Sequence, residues 1–227
     1  MPRPAPATAT ITRWLAALAA ALLLASLAGQ FMRIETGHDH VKGLVPLFNV
    51  DAEENLPSFF SVLLLPGAAA LLAREAWHAS PLGRRTWWPW ALLAAGFTWM
   101  AYDEAFSVHE RLILPMRALL DGESRGIFYY GWVAPGLVLV AAVGVVLLPF
   151  LRRLPGLTRR RFLLAGGIYL VGALGVEMLG GLRAARHGTL DWPYALIVTT
   201  EEGLEMAGLI VFIRALLLHR RPEVVAA

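Results

Sequence analysis

Cysteine is absent from this 227-residue chain, which excludes disulfides, thiolate metal sites and cysteine nucleophiles together. Any metal site must then be built from oxygen and imidazole. Charge is scarce: 16% of residues are Asp, Glu, Lys or Arg against 57% in the hydrophobic set, which excludes an ordinary soluble domain. Long polar segments are missing too. The two longest polar connections run to about 20 residues, too few to bury a core, so any function sits in an apolar bundle or its loops. The apolar runs are unbroken rather than alternating, and strands are not expected. There is no Gly-x-Ser-x-Gly, no His-Glu-x-x-His and no phosphate loop, hence no nucleotide cofactor motif.

What is present is a series of apolar stretches, each near the roughly 20 residues that a bilayer core demands. They run over about 12–34, 56–77, 87–110, 131–151, 162–182 and 192–218. The expected fold is all-α, a single polytopic bundle of about six transmembrane helices over residues 1–227. Counting Lys and Arg places both termini in the cytoplasm: Arg3, Arg13, Arg74, Arg84, Arg85, Arg152, Arg153, Arg159, Arg160, Arg161, Arg214, Arg220 and Arg221 then lie inside, 13 of 20. The net charge of +3 reflects this topology and implies no nucleic-acid partner. Trp87, Trp88 and Trp90 are expected at the inner interface, and Tyr129, Tyr130, Trp132, Trp192 and Tyr194 at the outer one. The first span has a second reading as a cleaved signal peptide, since Ser26-Leu27-Ala28 resembles a small-residue cleavage site; its apolar length favours a retained helix. Prolines at Pro66, Pro135 and Pro149 read as architectural.

The same topology puts 15 of 17 acids in the outer half, leaving Glu75 and Glu223 inside. Asp103, Glu104 and Glu110 on the third span, Glu177 on the fifth, and Glu201, Glu202 and Glu205 on the sixth would each cost several kcal/mol if left charged in hydrocarbon. They must face the bundle interior. At about 1.5 Å rise per residue, Asp103, Glu177 and Glu201 lie roughly 9–12 Å below the outer ends of their helices, in one layer. Asp103, Ser107 and Glu110 are spaced for a single helix face, as are Glu201 with Glu205 and Glu202 with Glu205. Around Glu177, Ala173, Gly180 and Gly181 would admit a neighbouring helix closely. Arg111 and Arg183 are near enough to reach down from the outer boundary, but two arginines do not neutralise seven acids, and the remainder must share protons or bind cations. His109 beside Glu110 is the imidazole at this depth, while His38 and His40 flank Asp39 in the first outer loop. Asp51, Glu53, Glu54 and Asn55 before Pro57-Ser58 read first as a helix start and second as a lid on the site.

The segments Leu47 to Asp51 with Glu54 to Ser58, Asp103-Glu104-Ala105 to His109-Glu110, and Glu201-Glu202 to Glu205-Met206 resemble those of an uncharacterised family of bacterial multi-pass membrane proteins. The resemblance implies the bacterial inner membrane and lends no catalytic residue. A di-iron carboxylate bundle would pair Glu with His at i, i+3, and no such pair occurs within the spans. Tyr102 to Ser107 and Thr200 to Glu205 look alike, as in an inverted-repeat transporter, but their acids fall at unmatched distances from the helix starts. The sequence thus points to an outward-facing divalent metal site formed by Asp103, Glu104, His109, Glu110, Glu177, Glu201, Glu202 and Glu205, in a metal-dependent membrane enzyme of unknown substrate. The alternatives are a proton- or cation-coupled small transporter, against which the aliphatic inner halves of the last three spans argue, and an accessory subunit with a structural acidic core.

Overall fold

A computed structural model describes residues 6–119 and 126–219; Arg3, Arg220, Arg221 and Glu223 lie outside them. The described residues are helical, in the order α1 (Pro6–Thr36), α2 (Leu44–Phe48), α3 (Leu56–Ala79), α4 (Arg84–Phe106), α5 (Ile113–Leu119), α6 (Val133–Arg153), α7 (Gly156–Leu170), α8 (Glu177–His187) and α9 (Trp192–His219). A wide π-helical turn, Val171–Val176, joins α7 to α8 without a break in the rod.

Among the described residues, four helices are long and apolar enough to cross a bilayer: Ala7–Thr36, Leu56–Leu82, Val133–Arg153 and Gly156–His187. The chain is a helical membrane protein. Its outer surface is lipid-like, with Trp77 at 78% exposure, Val145 at 72% and Val138 at 70%. Helices α4 and α9 match the third and sixth expected spans, but they carry the acids and fall outside a purely apolar standard.

Central to the bundle is α9, which packs along α7, α1 and α3, while α3 and α4 form a tight antiparallel pair through the Gly83 turn. The aliphatic core gathers on one half of the molecule: Leu65, Leu72, Met206 and Leu216 are essentially inaccessible. Trp90 is part of this core, edge-on to Phe150 at 4.8 Å and to Phe162 at 6.0 Å, and so is not the interfacial anchor expected of it. Its indole is worth more buried among rings than at the headgroup level. Close approach of α7 to α9 depends on glycine. A Cβ at Gly208 would lie 2.7 Å from the Tyr169 backbone nitrogen, and one at Gly172 would lie 2.9 Å from the Glu201 carbonyl oxygen. Pro135 sits in the first turn of α6, where its missing N–H is not needed.

Candidate functional site

The helix expected to continue to Glu110 stops at Phe106. Ser107 adopts the left-handed conformation (φ 47°, ψ 44°), and its N–H bonds back to the Asp103 carbonyl, ending α4 as an αL cap does. Asp103, Ser107 and Glu110 therefore do not share a helix face. The chain instead folds back as a 3₁₀ turn, His109–Leu112, that sets His109 over Asp103. Asp103 Oδ1 accepts the His109 backbone N–H at 2.8 Å, and Oδ2 lies 3.0 Å from His109 Nδ1. With Nδ1 so engaged, Nε2 is left as the ring's donor to a ligand.

A second chain segment reaches the same place. Ser26 on α1 accepts the Val50 N–H, and Gln30 donates to Asn49 Oδ1 at 2.7 Å. These bonds from α1 pin residues 49–55 across one end of the bundle. Asn55 caps α3: its Oδ1 accepts the Ser58 N–H at 3.1 Å, and Ser58 Oγ accepts the Asn55 N–H at 3.0 Å. The helix start expected of the cluster from Asp51 to Asn55 is thus present, with the neutral amide of Asn55 as its cap. Asp51 and Glu53 are released to face inward. Asp51 accepts the Tyr194 hydroxyl at 2.7 Å, and Tyr194 meets Tyr130 at 2.8 Å.

Glu53, His109 and Glu110 each place one ligand atom within 4.8 Å of the others. Around a single first-row ion, donors at about 2.0–2.2 Å lie up to roughly 4.4 Å apart, so a small side-chain adjustment closes the three onto one centre. The Oε2 atom of Glu53 is buried without a hydrogen-bond partner, an orphan that a cation would satisfy. Burial, reinforced by the charge of Glu104, pushes the Glu53 carboxyl up to about 7. Burial acts to lower the His109 imidazole, but its hydrogen bond to Asp103 and the charges of Asp103, Glu104 and Glu53 outweigh it and raise the ring to about 9.

These groups open into one cavity of about 1120 Å³ between α4, α6, α7 and α9. All eight residues singled out in the sequence line it: Asp103, Glu104, His109, Glu110, Glu177, Glu201, Glu202 and Glu205. Asp51 and Glu53 bring the lining acids to nine, and no lysine or arginine is among the described residues of the wall. Deeper in, Glu177 accepts the Trp132 indole N–H at 2.9 Å and faces Glu201, and Glu205 meets the Tyr169 hydroxyl. Glu104, Glu202 and Glu205 stand close enough to feel one another's charge.

Other expectations are corrected. Arg183 does not reach Glu177; it pairs with Asp191 in the loop before α9, and Arg111 is exposed. His38 and His40 are exposed and away from the cavity wall, with His38 bonded to Thr36. Gly180 abuts Ile197 and Gly181 abuts Tyr129 and Tyr130, so a helix meets one glycine and a loop the other. The residues missed are Glu53 as a member of the site and Tyr130, Trp132, Tyr169 and Tyr194 as its hydrogen-bonding wall. Three of these aromatics had been read as an interfacial belt, and only their side-chain direction separates the two roles.

No curated protein and no solved structure matches the chain. Residues 15–220, nearly its whole length, match the model of the family described as Domain of unknown function (DUF8692), and the chain belongs to that family.

Proposed function

We propose that this protein holds a divalent first-row metal ion at the outer end of its bundle, through Glu53, His109 Nε2 and Glu110, with Asp103 as the residue that orients the imidazole. The observation carrying this is the convergence of two chain segments, distant in sequence, on one point where a buried Glu53 oxygen has no partner and His109 has one nitrogen to spare. Mixed imidazole and carboxylate donors suit zinc, manganese or iron rather than magnesium or calcium alone. Glu104, Glu177, Glu201, Glu202 and Glu205 line the same cavity below it and share protons among themselves. Such a metal supplies Lewis acidity and an activated water, and the carboxylates beside it move protons, so the reading is a metal-dependent membrane enzyme.

Six spans with both termini cytoplasmic put this site on the outward side of a bacterial inner membrane. A transport path is not favoured, because Leu147, Leu151, Phe162 and Leu163 line the far end of the cavity with apolar side chains that offer an ion no ligand. The test is elemental analysis of detergent-purified protein beside Glu53→Gln, His109→Ala and Glu201→Gln. One metal per chain in the parent, lost in the first two variants and kept in the third, is the expected result. Absence of metal from the parent, or content unchanged in His109→Ala, overturns the assignment.

A further inference from the structure

The cavity is not uniform along its length. Its outer end holds the nine acids and His109, and the rest is walled by Leu92, Gly96 and Trp99 of α4, Val140 and Gly144 of α6, and Gly167 of α7. Ring contacts bridge the α4 and α6 sides at both ends of this stretch. Trp90 meets Phe150 at 4.8 Å at the inner end, and His109 of the turn after α4 meets Trp132 at 4.9 Å at the outer end. Between these two contacts the cavity wall is itself exposed at the surface, at Leu92 and Trp99 of α4 and at Leu139 and Val143 of α6.

We infer that this groove takes the tail of a membrane lipid, entering sideways, with its head at the acid layer. From Glu201 to Phe212 along α9, and from Gly136 to Leu151 along α6, the groove runs roughly 17–22 Å. That is somewhat more than the ~15 Å of hydrocarbon in one leaflet, which an acyl chain fills. Amphiphile and cavity then match in polarity end to end. Nine carboxylates and, among the described residues of the wall, no lysine or arginine select the charge of the head: an ammonium is attracted and an anionic head is repelled. The occupant is therefore a lipid with a long acyl chain and an ammonium-bearing zwitterionic head. The groove narrows nowhere at its glycines, since a Cβ added at Gly96, Gly144 or Gly167 meets nothing within 4 Å. A large side chain there enters open space rather than a packed core.

This deepens the metal-site reading and rests on it only in supposing that the head is where chemistry occurs. The test is native mass spectrometry of the full chain, freed from detergent after incubation with palmitoyl lysophosphatidylethanolamine or palmitoyl lysophosphatidylglycerol. The parent is expected to retain the ethanolamine lipid at least about tenfold better than the glycerol lipid. Gly144→Leu and Gly167→Leu are each expected to weaken retention about tenfold while leaving the thermal midpoint and metal content unchanged. No retained lipid in the parent, or undiminished retention in both variants, overturns the inference. Equal retention of the two lipids overturns the head-group assignment. A lipid-free dimer that Gly144→Leu converts to monomer overturns the inference by making the groove a contact between copies. Metal without lipid sinks the groove alone, and lipid without metal sinks the metal site alone.

Discussion

Asp103 holds His109 twice, through the backbone N–H at 2.8 Å and through Nδ1 at 3.0 Å, although the two residues lie on opposite sides of a helix end. One carboxylate thus fixes both the turn after α4 and the orientation of the ring. This gives Asp103 a role different from that of the other acids, since its oxygens are spent on His109 rather than offered to a cation.

Replacing Asp103 by Asn is expected to weaken metal binding by about 10–100-fold without abolishing it, the usual effect of losing a partner that orients a ligating imidazole. Competition with a chromogenic chelator measures it. His109→Ala, which removes the ligand itself, is expected to fall below detection, and equal losses in the two variants would contradict the division of roles.

Trp132 donates to Glu177 at 2.9 Å in the cavity that Glu53, His109 and Glu110 also line. Trp132→Phe keeps the ring and deletes the donor, leaving a part-buried carboxyl short of a partner at a cost of about 1–3 kcal/mol. Thermal unfolding in detergent reads this as a lower midpoint, and the companion Glu177→Gln, which retains an acceptor oxygen, is expected to lose less.

The crossing of α7 on α9 tolerates no methyl group at its tightest points. Gly208→Ala forces a Cβ against the backbone of Tyr169, and Gly172→Ala forces one against Glu201. Each is expected to destabilise by about 1–3 kcal/mol through overpacking. Gly175→Ala, one turn away with nothing within 4 Å of the added carbon, is expected to be neutral or slightly stabilising.

Asp191 ties the start of α9 to α8 by pairing with Arg183 and by accepting the Tyr194 N–H at 2.8 Å. The hydrogen bond from Arg183 leads in holding its carboxyl below the ordinary value of 3.8. A lowered native pKa means that the stabilisation is fully present above 3.8 and is lost as pH falls through the lower native value. The difference in midpoint between the parent and Asp191→Asn is expected to be small at pH 7, because the pair is only half-buried and solvent screens it, and to vanish in strong acid.

The facing ends of α6 and α7, from Arg152 to Arg161 about the Leu154-Pro155 turn, carry five arginines and no acid. A reporter cysteine placed there in this cysteine-free chain is expected to resist a membrane-impermeant thiol reagent in intact cells and to react after lysis. Reaction in intact cells would reverse the orientation and turn the acidic cavity toward the cytoplasm.

The sequence alone determined that the chain is helical and lives in lipid, because apolar runs of bilayer length leave no other way to satisfy the backbone. It also picked out seven of the nine acids that line the cavity, Asp51 and Glu53 being the other two. Asp103, Glu177 and Glu201 are too costly in hydrocarbon to face outward, but the single depth expected of them from helical rise does not hold, because α4 ends at Phe106, close after Asp103. Tertiary structure decided what those acids do. The left-handed Ser107 ends α4 early and turns His109 back onto Asp103, a reversal that helical spacing had ruled out by extending the helix to Glu110. Asn55 took the cap, and Ser26 and Gln30 held the loop, so that Glu53, just before α3, came beside His109, just after α4. Such a meeting depends on where a loop is pinned by helices remote in sequence, and periodicity along one helix carries no record of it.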